Sequence, residues 1–396
     1  MRRKEYFDYT ATTPIQKRVL KEMLPYLKDK YANAHSTYES GIENAQVIEV
    51  ARYRVAHKIG CPTDTIYFTS GATESNNWAI KNSVIRKMIS GKTAKIALTG
   101  LDHDSVIKSV EFCEKYYKAE SCIIPTNEFG EIDLKTFDDF CKKELPNIVV
   151  LTWVNNELGT GIDVKSICNI ARKYVPRAYI HADATQAVPK FALNLSQTEL
   201  DSAAFSAHKV YGPKGIGALY LRYKESIMPF IDGGSQENGM RAGTSNTPAI
   251  VGFGAAMSFL DYDKIRTKTA DLTSYLICKI TNTFLTNPNY KDEISFTCSP
   301  DKYKNGIISL YFSFETRILI PLLDSMGIMV STGSACTGEK ENSHVLTRIG
   351  KEGDKGLRIS VSPLYTKKKD IDRLIKILKK ALDIYNDVTP KKGENE

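Results

Sequence analysis

Between Ile66 and Arg222 short apolar runs alternate with amphipathic stretches, and this alternation restricts the fold of the 396-residue chain more tightly than any other feature. The apolar runs fall at 66–68, 95–99, 121–124, 148–154 and 178–182, with two more at 202–206 and 216–222. Between them, apolar residues recur at helical spacing up to Met88 and again over 104–118, 133–144 and 164–174. Buried strands alternating with amphipathic helices predict an α/β fold with a largely parallel sheet covered on both faces. Upstream, residues to 14 read as an extended arm, followed by helices over 16–26 and 43–59. After Gly254 the style changes. One long helix is predicted over 253–285, short strands near 293–298 and 307–312, a helix at 318–325 and a last helix at 370–385. The expected division is a large domain at 15–255 and a smaller α+β domain made of 1–14 plus 256–396.

Two of the strands end on ionisable groups. The run Phe205-Ser206-Ala207-His208-Lys209 places a lysine just beyond a small-residue strand and before a Gly-Pro turn. Buried-strand composition rarely supplies a lysine unless a site uses it. Desolvation or a neighbouring cation lowers the lysine pKa and makes the amine a carbonyl-trapping nucleophile. A lysine beside a Gly-Pro turn is nevertheless more often simply solvated. The stretch Tyr179-Ile180-His181-Ala182-Asp183 raises the odds, because it is an apolar strand ending in a carboxylate. Pyridoxal 5'-phosphate held by Lys209 would need such a carboxylate against its ring nitrogen. Asp183 read by itself is more readily a helix N-cap after a strand. Ser70-Gly71-Ala72-Thr73, where a strand turns into a helix, is either a plain cap or an anion site of backbone N–H groups. Gly91-Lys92-Thr93 is not a P-loop, because Arg86 stands where the upstream glycine is required.

The bulk numbers exclude more than they assign. With 42% hydrophobic and 25% charged residues the chain has an ordinary globular composition. The net charge of +8 is dispersed, and Lys367-Lys368-Lys369 is followed at once by Asp370, so no direct nucleic-acid contact is expected. Neither a signal peptide nor a membrane span is expected from the basic, polar start Met1-Arg2-Arg3-Lys4 and the lack of long apolar runs. The 8 cysteines show no CxxC pair and no zinc-type spacing, which points away from disulfides and metal and towards a cytoplasmic location.

Several ordered motifs together resemble the NifS/IscS-type cysteine desulfurases, class V members of the fold-type I pyridoxal-phosphate enzymes. The similarity runs from Phe7-Asp8-Tyr9-Thr10-Ala11-Thr12-Thr13-Pro14 to about Asp370. It implies that Lys209 carries the cofactor, that Asp183 pairs with its ring nitrogen, and that His103 stacks on the ring and shuttles protons. It also implies that Ala72, Thr73, Ser206 and His208 hold the phosphate, with Thr244 reaching it across a homodimer. Asn156 and Gln186 match positions near the cofactor O3′ and the substrate, and Arg358 matches the arginine that grips the substrate carboxylate. Guanidinium suits that task because it presents two parallel N–H groups. Cys336, in the Gly/Ser/Thr-rich stretch Ser331–Lys340, matches the cysteine that takes sulfur from L-cysteine as a persulfide. The acceptor implied is a partner protein such as an iron–sulfur scaffold, or a route to tRNA or cofactor thiolation. The other seven cysteines are expected to be buried apolar residues.

The chain departs from the family pattern in places. Tyr38 stands where histidine is usual, Gly233-Gly234-Ser235 replaces three glycines, and Ser360-Val361-Ser362-Pro363 lacks a second arginine. The C-terminal tail is short and lysine-rich. Two rivals stay open at this point: a selenocysteine lyase or other class V enzyme, and a catalytically idle scaffold of sulfur assembly.

Overall fold

The computed structural model describes residues 4–299, 302–333 and 342–388. Strand β1 (Glu5–Tyr6) and helices α1 (Lys17–Lys28) and α2 (Glu39–Ile59) precede β2 (Ile66–Thr69). Then α3 (Ala72–Ile89), β3 (Lys95–Leu98), α4 (Asp104–Tyr117), β4 (Glu120–Ile123), α5 (Leu134–Glu144), β5 (Ile148–Thr152) and α6 (Val164–Tyr174) alternate as expected. Strands β6 (Tyr179–Asp183), β7 (Ser202–Ser206) and β8 (Gly217–Leu221) complete a seven-stranded sheet in the order β2-β8-β7-β6-β5-β3-β4. Strand β8 runs against its neighbours, and the rest of the ladder is parallel from β7 to β4.

Period-two alternation explains why the sheet is covered twice. In β5, Val149 and Leu151 join a core with Ile48, Phe137, Ile167 and Phe253, while Ile148 and Val150 join one with Trp78 and Val106. One face is therefore roofed by α2, α5, α6 and α7 (Thr247–Ser258), the other by α3 and α4.

Helix α8 (Tyr262–Ile280) leads to the second core. The long helix expected over 253–285 is broken here. Residues 259–261 separate α7 from α8, and the Asp261 side chain caps the new helix by accepting from the Lys264 N–H. Apolar residues on both sides of the break hide it from a periodicity reading. Beyond α8 come β9 (Ile294–Phe296), β10 (Ile307–Phe312), α9 (Leu319–Ser325), β11 (Ile328–Met329), α10 (His344–Arg348), β12 (Gly356–Ser360) and α11 (Lys368–Val388). Strands β12, β10 and β9 form a three-stranded antiparallel sheet, against which α11 packs Ile371, Leu374, Leu378 and Leu382 at i, i+3, i+7 and i+11. Each such side chain contributes about 1.5–3 kcal/mol on burial. Phe7 from the N-terminal arm sits in this second core beside the apolar face of α11, and Glu5 pairs with Ile328. Among the described residues no helix is long and apolar enough to cross a membrane.

Candidate active site

The C-terminal ends of β5, β6 and β7 open into a cavity of about 380 Å³. Its lining includes Ala72, Thr73, His103, Asn156, Asp183, Gln186, Ser206, His208, Lys209 and Arg358. These are sites named from the sequence, and the fold brings them together. Thr244 does not line it; this residue borders a separate cleft with Gln236, Arg241 and Ser245. Cys336 lies outside the described residues.

On the sheet side, Lys209 ends a single helical turn that follows β7. Its Nζ donates to the backbone carbonyls of Thr10 at 2.7 Å and Ala11 at 2.8 Å. The arm is stitched to the same turn: Thr13 N–H and Thr13 Oγ1 both donate to the His208 carbonyl, and Tyr211 N–H donates to Thr13 Oγ1. Burial, reinforced by the Lys209 and Lys214 cations, pushes the His208 imidazole down to about 4. The ring is neutral at physiological pH.

Asp183 is braced from behind. Its Oδ2 accepts from Asn76 Nδ2 at 2.8 Å and its Oδ1 from the Thr185 N–H at 2.9 Å. Asn76 Oδ1 in turn faces His181 Nε2 at 2.9 Å, and His181 Nδ1 faces Ser202 Oγ at 2.7 Å. Burial outweighs the pull of Asp183 and holds His181 near 4, so the ring is a neutral link that donates through Nε2. Sequence reading left Asn76 and His181 without a role. The available signal was spacing, since residue 181 shares a strand face with 183.

The N-terminus of α3 begins at Ala72 after the extended residue Gly71. First-turn N–H groups lack intrahelical partners, so they point an unsatisfied positive end at the cavity. Gly217 makes room for this loop, because a Cβ there would lie 2.6 Å from the Gly71 Cα. His103 caps α4: the Ser105 N–H donates to its Nδ1 at 3.1 Å, which leaves the neutral ring's proton on Nε2. The preceding residue, Asp102, is fully buried and accepts from Thr99, Gly100 and Thr152, which fixes the turn that presents His103.

The opposite wall comes from the second sheet. Arg358 on β12 is 2% exposed and pairs with Asp8 through Nη2 at 2.7 Å. Nη1 donates to the carbonyls of Asn156 at 2.9 Å and Gly333 at 2.6 Å. Among the described residues its buried Nε–H has no hydrogen-bond partner, nor has the buried Thr185 hydroxyl. Buried donors are ordinarily paired, so two orphans facing one cavity from its two walls mark where a polar guest would dock. Asp8 is a contact that sequence reading missed. Glu157 accepts from Ser343 Oγ at 2.6 Å, so the described residues on either side of Cys336, Gly333 and Ser343, are both held at this wall.

The expectation of buried cysteines holds for Cys113, Cys141, Cys168 and Cys298, while Cys61 and Cys122 are half-buried and Cys278 is exposed on α8. Burial pushes the Cys61, Cys122 and Cys298 thiols up to about 11, away from the reactive thiolate.

Residues 5–374 match the aminotransferase class-V family model. The chain is 35% identical to a cysteine desulfurase IscS of Dictyoglomus turgidum, over 100% of this chain and 98% of that one. It is 37% identical to a mitosomal cysteine desulfurase of Trachipleistophora hominis, over 89% and 79%. Among solved structures, a NifS-like protein superposes with a TM-score of 0.87 at 30% identity, covering 97% of this chain and 100% of that one. SspA in complex with cysteine superposes with a TM-score of 0.77 at 30% identity, over 91% and 99%.

Proposed function

The chain belongs to the class-V aminotransferase family, among its cysteine desulfurases, and from that premise we propose that it removes sulfur from L-cysteine with pyridoxal phosphate as cofactor. The observation that carries this reading is the convergence of Lys209, Asp183 and Arg358 on one cavity that also holds two unpartnered buried polar atoms. Pyridoxal phosphate, when bound, supplies a carbonyl for amines and a protonated ring that accepts electrons. The residues present fit it. The first turn of α3, Ser206 and neutral His208 would hold the phosphate; Asp183 would keep the ring nitrogen protonated; His103 would cover the ring.

The chain's own groups then divide the work. Arg358 offers the unpaired Nε–H to the substrate carboxylate and orients the amino acid. The Lys209 amine moves the proton at the substrate α-carbon, and His103 Nε2 carries a proton on the facing side. Cys336 Sγ bonds to the substrate sulfur as its bond to carbon breaks. The sum is L-cysteine plus enzyme thiol giving L-alanine plus enzyme persulfide, with no outside oxidant or reductant. We assign residues 15–255 to holding the cofactor, and 1–14 with 256–396 to gripping the substrate and carrying the cysteine. The working unit is a homodimer, supported by the place of Thr244 outside its own chain's cavity and by Ile42, Val50 and Tyr53 exposed along α2. The persulfide is passed to a sulfur-acceptor protein such as an iron–sulfur scaffold. Incubation with L-cysteine, followed by alanine assay and intact-mass analysis, tests the reading. Equal alanine and added sulfur at Cys336 are expected; absence of both overturns it.

A further inference from the structure

We propose that Lys190 is a positioning residue for this reaction: it fixes the amide of Gln186 and, as a second cation behind the site, sets the proton affinity of the Lys209 amine. The inference rests on the function proposed above and deepens it. Lys190 follows the turn that carries Asp183 and Gln186, and its Nζ donates to Gln186 Oε1 at 2.6 Å and to the Gln186 carbonyl at 3.0 Å. An ammonium only donates, so the amide oxygen of Gln186 must face it. The amide nitrogen is thereby turned to the Thr10 carbonyl at 3.0 Å, the same carbonyl that accepts from Lys209 Nζ at 2.7 Å. Lys190, Gln186, Thr10 and Lys209 form one continuous chain of hydrogen bonds.

The electrostatics of that chain are lopsided. Among the described residues no carboxylate forms an ion pair with Lys190, and both of its acceptors are neutral. The charged groups that face it are Lys209 and Arg358, while Asp8 is engaged by Arg358. Tyr9 and Tyr211 share the small cavity between the two lysines. Burial pushes the Tyr9 phenol up to about 12 and Tyr211 higher still, so neither supplies negative charge near neutral pH. Burial first, then the Lys209 and Arg358 cations, push Lys190 down to about 7. Below that pH Lys190 is charged and opposes a second charge on Lys209. Above it, the opposition relaxes. Protons on the two lysines compete, and the pair titrates as a unit.

The test is a pH titration of the near-visible cofactor band in the holoprotein, comparing wild type with Lys190→Arg and Lys190→Met. Arginine stays charged throughout and methionine never is. The midpoint of Lys190→Arg should lie at or below wild type and that of Lys190→Met at or above it, separated by roughly one pH unit or more. Lys190→Gln, which keeps a polar donor, should follow Lys190→Met and covers a methionine variant that folds poorly. Coinciding midpoints in the charged and uncharged variants overturn the proposal, since a packing role would change stability without ordering the midpoints by charge. The same order is read without cofactor, from the pH at which formaldehyde and cyanoborohydride methylate Lys209 as mapped by mass. A protein that develops no band with added cofactor refutes the function proposed above. The methylation order then still decides the role of Lys190.

Discussion

Two walls of one cavity are built differently. The side proposed to hold the cofactor is drawn from neighbouring strands of a single sheet: Asp183 pairs in register with Ala204, and Lys209 follows three residues after Ser206 ends β7. Its groups are held by a ladder that would exist without any ligand. The side proposed to take the substrate joins residues from remote parts of the chain, with Arg358 gripping Asp8 across 350 residues and reaching the carbonyls of Asn156 and Gly333. The difference implies that cofactor capture and substrate capture are separable. Damage to one wall should leave the other in working order.

The largest effect expected is from Lys209→Ala, which should abolish turnover and borohydride fixation of the cofactor together. Residual fixation at another lysine, mapped by peptide mass, would break the assignment of the sheet-side wall. Cys336→Ser comes next: alanine and sulfur release should fall to background while the cofactor band and its response to L-cysteine persist. A serine variant that turns over normally, or sulfur mapped to exposed Cys278, would mean that a different thiol carries the cargo.

Arg358→Ala sharpens the comparison. Loss of one charge-assisted carboxylate grip is worth roughly 1.5–3 kcal/mol, so KM for L-cysteine should rise about ten- to a hundredfold with the cofactor band unchanged. An unaltered KM would show that the remote wall does not read the carboxylate. The smallest effect is on the sheet side. Thr185→Val removes a buried hydroxyl that has no partner. The apoprotein should melt at the same temperature or slightly higher, while cofactor affinity falls by about two- to tenfold, the worth of one neutral hydrogen bond. Unchanged affinity in an equilibrium titration would mean that the hydroxyl is idle.

What could be seen in the sequence follows the same division. Lys209, Asp183 and the 70–73 turn stand at strand ends, and strand periodicity marks those ends without knowledge of the fold. Arg358 sits in an apolar run, Leu357-Arg358-Ile359, and only family resemblance singled it out. Asp8 lies within the Phe7–Pro14 motif, but nothing local says that the arm meets β12 there. Asn76 lies on a helix whose exposed and buried polar residues look alike in sequence, and its burial depends on the sheet beneath it. Lys190 escaped for a related reason: a lysine after a turn looks solvated until Gln186 and Lys209 are placed around it. The break at 259–261 escapes a periodicity reading because Phe259 and Leu260 within it are themselves apolar. Local chemistry reveals the cofactor wall, and long-range topology creates the rest.

The grip of Arg358 on Asp8 also has a consequence in time. At a synthesis rate of about 5–20 residues per second, roughly 20–70 s separate the emergence of the two partners from the ribosome. For about the last 7–27 s of that interval, once residue 221 is made, the nascent chain carries every strand of the large sheet, yet has no guanidinium at 358. On the roles proposed above, the growing polypeptide thus acquires the means to hold a reactive aldehyde before it acquires the means to select a substrate for it.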